Sequence, residues 1–88
     1  MKVIAKVVEV LAWFEEDGAV LPLRVKLLDE NEKTGSEVKI DRILSNSEEF
    51  LAGHLMSVFL CQSLVDGVER LFELKFENDT CSWILFKM

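Results

Sequence analysis

The chain reads as a small all-β domain, an antiparallel sheet curled into a barrel, on three observations. Apolar and polar residues alternate over short segments, turn-forming clusters separate those segments at strand-and-turn spacing, and β-branched and aromatic residues fill them. The clusters are Glu15-Glu16-Asp17-Gly18, the stretch from Asp29 to Gly35, Val65-Asp66-Gly67 and Glu77-Asn78-Asp79-Thr80. Asp-Gly suits a tight hairpin because glycine takes positive φ without a Cβ clash. About six strands result, in a single domain over residues 1–88, which is too short for two separate cores.

The first strand runs from Lys2 to Phe14. Its polar Lys2, Lys6 and Glu9 also fit an amphipathic helix, whereas Val3, Ile4, Val7, Val8 and Val10 favour extended backbone. The second, Val20 to Leu28, sets Leu21, Leu23, Val25 and Leu27 against Pro22, Arg24 and Lys26, one buried face and one wet. Pro22 lacks an N–H and belongs at that strand's start or on an edge. The third runs from Glu37 to Leu44. Its apolar phase shifts between Ile40 and Ile43, which predicts a bulge near Asp41-Arg42.

A short helical turn is expected at residues 46–51, where Ser45 and Glu48 match a capping box. Gly53 argues against a longer helix. The fourth strand covers His54 to Leu64 and the fifth Val68 to Phe76, with Phe72, Leu74 and Phe76 against Glu73 and Lys75. The sixth runs from Cys81 to Lys87. Its Trp83-Ile84-Leu85-Phe86 is apolar on both faces, so it is either covered on both sides or part of an oligomer contact. The expected core is Val8, Val10, Leu23, Val25, Ile40, Val58, Leu60, Phe72, Leu74 and Leu85.

The order of Phe14 with Gly18, Pro22-Leu23, Val38-Lys39-Ile40-Asp41-Arg42-Ile43-Leu44, Ala52-Gly53, Phe59 with Cys61, Gly67, Leu71-Phe72 and Trp83 resembles a family of short, uncharacterised bacterial proteins from clostridia and their relatives. That resemblance implies an all-β fold, a small SH3-like barrel, and assigns no activity. The loop from Glu30 to Gly35 is longer than the family pattern.

Composition narrows function mainly by exclusion. Ten Lys and Arg against 16 Asp and Glu leave a net charge of −6, which opposes both phosphate-backbone binding and anionic membrane surfaces. Lys6 and Glu9 interrupt what would be a signal core, and no apolar run is long enough for a membrane helix. The expected location is cytoplasmic. In that reducing setting Cys61 and Cys81 are expected to be two packed thiols, about 9.6 Å apart in a meander and beyond the ~7 Å reach of a disulfide.

No catalytic, cofactor-binding or metal-binding residue is expected. His54 is the sole histidine, and its seven-residue separation from Cys61 puts the two on opposite faces of one strand. Asp41-Arg42 is either an anchor for a partner or anionic ligand, or a structural ion pair or loop hydrogen bond. Trp13 and Trp83 read as core or interface aromatics. As base-stacking platforms they would need a cationic groove, and Glu15, Glu16 and Asp17 adjoin Trp13. The isolated glycines draw no phosphate loop.

Half of the residues are hydrophobic, more than so short a chain readily hides, which points to a contact surface. The functional expectation is therefore a non-enzymatic protein-interaction module whose partner is another protein or itself, as a homodimer. Single-stranded nucleic-acid binding is the alternative, and an enzyme using Asp41, His54 or Glu49 ranks third.

Overall fold

The computed structural model describes residues 1–27 and 36–88; the expectation of a lengthened loop from Glu30 to Gly35 lies outside the described residues. Eight strands form there: β1 (Val3–Val8), β2 (Val10–Phe14), β3 (Val20–Leu27), β4 (Ser36–Lys39), β5 (Arg42–Leu51), β6 (His54–Val65), β7 (Val68–Glu77) and β8 (Ser82–Lys87). They make two antiparallel sheets, one in the order β1-β8-β7-β6-β5 and one in the order β2-β3-β4.

Two expected strands are each divided by a corner. The first breaks at Glu9, so that β1 pairs with β8 and β2 with β3. The third breaks at Ile40-Asp41, so that β4 pairs with β3 and β5 with β6. Backbone bonds stitch the corners: Lys26 N–H donates to Glu9 C=O at 2.9 Å, Ile40 N–H to Leu23 C=O at 2.9 Å, and Asp41 N–H to Gln62 C=O at 3.0 Å. A strand that leaves one sheet and enters another across a bend is the usual way for an antiparallel layer to fold over its own core.

The expected helical turn at residues 46–51 does not form. Ser45 to Glu49 pair instead with Leu60 to Met56, because the long apolar β6 offers a complete backbone ladder that a capping box cannot match. The segment's polar side chains are tolerated since β5 is the last strand of its sheet. Ala52 and Gly53 form the connecting turn, with φ of 52° and 82°, and Asp66 and Gly67 form the next, with φ of 50° and 80°. Positive φ at both central positions is the hairpin geometry for which Asp-Gly and Asn-Gly are favoured.

The core differs from the expected set by strand phase. Val8, Val25, Ile40, Phe72, Leu74 and Leu85 are buried together with Val38, Phe59, Cys61, Phe76 and Trp83. In β6 the inward face is Phe59 and Cys61. Val58 is buried on the opposite face and Leu60 is half-buried. Because Val58-Phe59-Leu60-Cys61 is apolar at every position, periodicity cannot choose a face, and the larger aromatic surface goes inside.

In β3 the pairs Leu11↔Arg24 and Ala12↔Pro22 leave Leu23 as an extra residue, a bulge. Pro22 is therefore buried, Leu23 lies 37% exposed and Leu21 39% exposed. Val10 is half-buried rather than fully inside. Pro22 sits beyond the reach of β4, whose pairing with β3 begins at Arg24, so its missing N–H costs no bond on that side.

Ala52 occupies left-handed backbone that penalises a Cβ by about 1–2 kcal/mol. Ala52→Asn, which tolerates this region, is expected to raise stability by about 1 kcal/mol in urea unfolding, or a few degrees in Tm. Ser63 is fully buried in β6, and its Oγ meets no hydrogen-bond partner among the described residues. Ser63→Ala should leave unfolding free energy unchanged or higher by up to about 1 kcal/mol; a clear loss would mean that the hydroxyl has a partner.

Candidate functional site

The surface most unlike an ordinary solvated face is the outer side of β2 and β3. Alternation along β2 turns Val10 and Ala12 toward the core and Leu11 and Trp13 outward. Leu11 is 61% and Trp13 63% exposed. Trp13 pairs with Leu21 and Leu11 with Arg24, so all four lie on the same face. The bulge then adds Leu23 to this outer side. Four large apolar side chains thus stand on two adjacent strands, where strict alternation would have pointed Leu21 and Leu23 inward.

The rim of this face is charged and internally paired. Lys26 Nζ lies 3.2 Å from Glu9 Oε2 and Arg24 Nη1 3.5 Å from Glu37 Oε1. A shallow cavity of about 310 Å³ opens between these pairs. At the far end the turn is held by Gly18 N–H donating to Glu15 C=O at 3.0 Å and Ala19 N–H to Asp17 Oδ1 at 2.9 Å. Glu15, Glu16 and Asp17 stay exposed beside Trp13. A second cavity of about 280 Å³ is lined by Ile4, Val8, Leu27, Leu85 and Met88 together with Lys2 and Lys6.

The sequence candidates are dispersed. Asp41 sits at the corner between β4 and β5, where its Oδ2 accepts from Leu64 N–H at 2.9 Å; it is a loop hydrogen bond, and the bulge expected nearby falls at Leu44. Glu49 accepts from Lys75 Nζ at 2.9 Å on the outer side of the larger sheet. His54 stands at the hairpin tip, its Nδ1 2.9 Å from Asp79 Oδ2 and 3.6 Å from Glu77 Oε1. None of these lines either cavity. Among the described residues no three His, Cys, Asp or Glu side chains converge as metal ligands would.

The aromatic pair also separates. Trp83 is core, with ring centroids 4.8 Å from Phe76 and 5.7 Å from Phe59. Trp13 is the exposed one, so of the two expected roles, core or interface, the core role holds for Trp83 and not for Trp13. The two thiols diverge likewise: Cys61 is buried, while Cys81 is exposed in the β7–β8 turn at φ 55°. The expectation of two packed thiols fails at Cys81 because the turn carries that side chain away from the sheet.

Lys75 is a residue that alternation misassigns. It alternates with core residues as a wet position should, yet is only 8% exposed. Its Nζ lies 2.9 Å from Glu49 Oε2, 3.9 Å from Glu73 Oε1 and 3.7 Å from the centroid of the Phe86 ring. The ammonium thereby crosses from β7 to both β5 and β8 and covers the outer face of Phe86. Comparison with protein-family models, with curated proteins and with solved structures finds no match.

Burial pushes the Cys61 thiol up from 9.0 to about 12. The folded chain therefore keeps this proton where the unfolded chain releases it. The associated stability is whole below pH ~9 and declines above that, by about 1.4 kcal/mol per pH unit, until the folded thiol itself ionises. A disulfide reagent at pH 8 should label only Cys81 in the native protein and both thiols after unfolding. Cys61→Ala should remove the excess alkaline slope in urea melts.

Proposed function

We propose that this chain is a non-catalytic protein-binding module that meets its partner through the outer face of β2 and β3. One observation carries the reading: Leu11, Trp13, Leu21 and Leu23 are exposed together on paired strands. Removing such a patch from water favours association at about 25 cal/mol per Å², and contiguous apolar patches of this kind mark contact sites. The dispersion of Asp41, His54 and Glu49 supports a non-catalytic role over an enzymatic one.

The architecture we propose for the module is a partly open barrel of the SH3 type, closed through the two bent segments that serve both sheets. Among the described residues no helix is long and apolar enough to cross a membrane, and the location we propose is the cytoplasm. Trp13, at 63% exposed, favours one second reading, stacking of single-stranded nucleic acid. Its acidic neighbours oppose that reading, because they repel the phosphates that supply most of such affinity.

The module reading is tested by capture from the native cytoplasm with wild type, a Trp13→Glu/Leu21→Glu double variant, and Val68→Glu as an exposed control at the β6–β7 turn. The expected result is a partner retained by wild type and control and lost with the double variant, all three having the same circular dichroism. Equal capture by all three would refute it. Salt-sensitive quenching of Trp13 fluorescence by an oligonucleotide would replace it with the nucleic-acid reading.

A further inference from the structure

β5 is paired along one edge only. Among the described residues its ten positions meet β6 on one side and no strand on the other. Every side chain described from Leu44 to Phe50 is exposed except Glu49, which Lys75 holds. Phe50 is 74% and Leu44 43% exposed. The edge contains no proline and no lysine, the two residues that most often blunt such edges.

The hydrogen-bonding phase follows from the two-residue turn. In a hairpin closed by Leu51 and His54, the residues flanking the turn exchange both backbone bonds, and alternate pairs do so thereafter. The register Glu49↔Met56, Ser47↔Val58 and Ser45↔Leu60 therefore directs the N–H and C=O of Glu49, Ser47 and Ser45 toward β6. Those of Phe50, Glu48 and Asn46 point outward. An occupant of this edge must supply an extended strand with the reciprocal groups.

The structure itself supplies such a strand, and we propose that the occupant is a second copy of this chain, its β5 antiparallel to the first with Ser47 on the twofold axis. The inference rests on the interaction-module reading and names the partner of one further edge. In this register Asn46 exchanges bonds with Glu48 of the other copy and Ser45 faces Glu49, each contact occurring twice as an isologous interface requires. No carboxylate faces another. Centring the axis on Glu48 would oppose two glutamates, and centring it on Asn46 would leave only Ser45 to Ser47 in regular pairing before the bulge at Leu44. The five-residue overlap from Ser45 to Glu49 about Ser47 lies wholly on the regular side of the bulge at Leu44 and keeps a chain of net charge −6 from setting carboxylate directly against carboxylate.

Two readouts test the pairing. Light scattering on the intact chain should give a mass that approaches twice 10.1 kDa as concentration rises. Asn46→Pro removes one outward N–H and no bond to β6, so it should return the protein to monomer with its circular dichroism and melting curve retained. Independently, Ser47→Cys in a Cys81→Ser background should cross-link to its own copy under mild oxidation, since a non-hydrogen-bonded cross-strand pair brings Cα atoms to about 4.5 Å. Ser45→Cys in the same background should not.

A strict monomer up to about 1 mM overturns the proposal and leaves the edge to a foreign strand. A dimer indifferent to Asn46→Pro and uncross-linked through Ser47→Cys also overturns it, placing self-association elsewhere. Neither result touches capture through Trp13 and Leu21, which is read separately, so failure here and failure of the module reading are distinguishable.

Discussion

The structure depends on two corners, at Glu9 and at Ile40-Asp41, where a single run of extended chain stops pairing with one sheet and begins pairing with the other. Each corner leaves backbone groups that neither sheet's ladder satisfies by default, and an unpaired buried amide costs about as much as a lost hydrogen bond with its desolvation. The bonds from Lys26 to Glu9, from Ile40 to Leu23 and from Asp41 to Gln62 meet that demand. The Asp41 carboxylate adds Leu64 N–H to the same corner. Because the corners are satisfied, Val8, Val25, Val38 and Ile40 can be brought against Phe59, Phe72, Leu74 and Trp83 in one cluster, and the sheets need no helix to cover them.

All-β class, the turn clusters and the paired Phe72, Leu74 and Phe76 were legible because strand alternation and turn chemistry are local. The corners were not, since a bend changes which neighbour a strand pairs with while leaving its propensity untouched. Leu23 shows the same limit on a smaller scale. One bulge residue reverses the phase of β3, so the clearest alternation in the chain predicted the wrong face for Leu21 and Leu23. Lys75 escaped because its burial depends on Glu49, twenty-six positions away, and on Phe86 across the sheet, contacts that spacing along one strand does not encode.

In the role proposed for the outer face of β2 and β3, the same bulge connects fold to function. Had β3 kept strict alternation, Leu21 and Leu23 would have pointed inward and the outer side of β2–β3 would have shown mainly Arg24, Lys26 and Pro22 around Trp13. Reversal at Leu23 exchanges proline for leucine on that side and converts a mixed surface into an apolar one. The exchange is costly in water, since apolar surface left exposed forgoes about 25 cal/mol per Å², and Leu21 and Leu23 are each more than a third exposed. A local device that exposes apolar surface is better explained by a contact than by folding, and bulges frequently re-aim side chains at functional positions.

β5 is braced from the larger sheet's outer face. Lys75 sits on the central strand, and by bonding Glu49 it ties the outermost strand to the strand two places inward, over Val58. A surface ion pair of this kind adds little stability on its own, and Glu49 remains partly in water. Its effect is geometric: an edge strand held by both its β6 ladder and a side-chain brace keeps its outward N–H and C=O groups in register. Ordering them in advance lowers the entropy that any incoming strand must lose, because only the arriving chain remains to be fixed. The brace spends the charge of Glu49 inside the molecule, and so it also removes one of the two carboxylates that would otherwise repel an acidic partner at that edge.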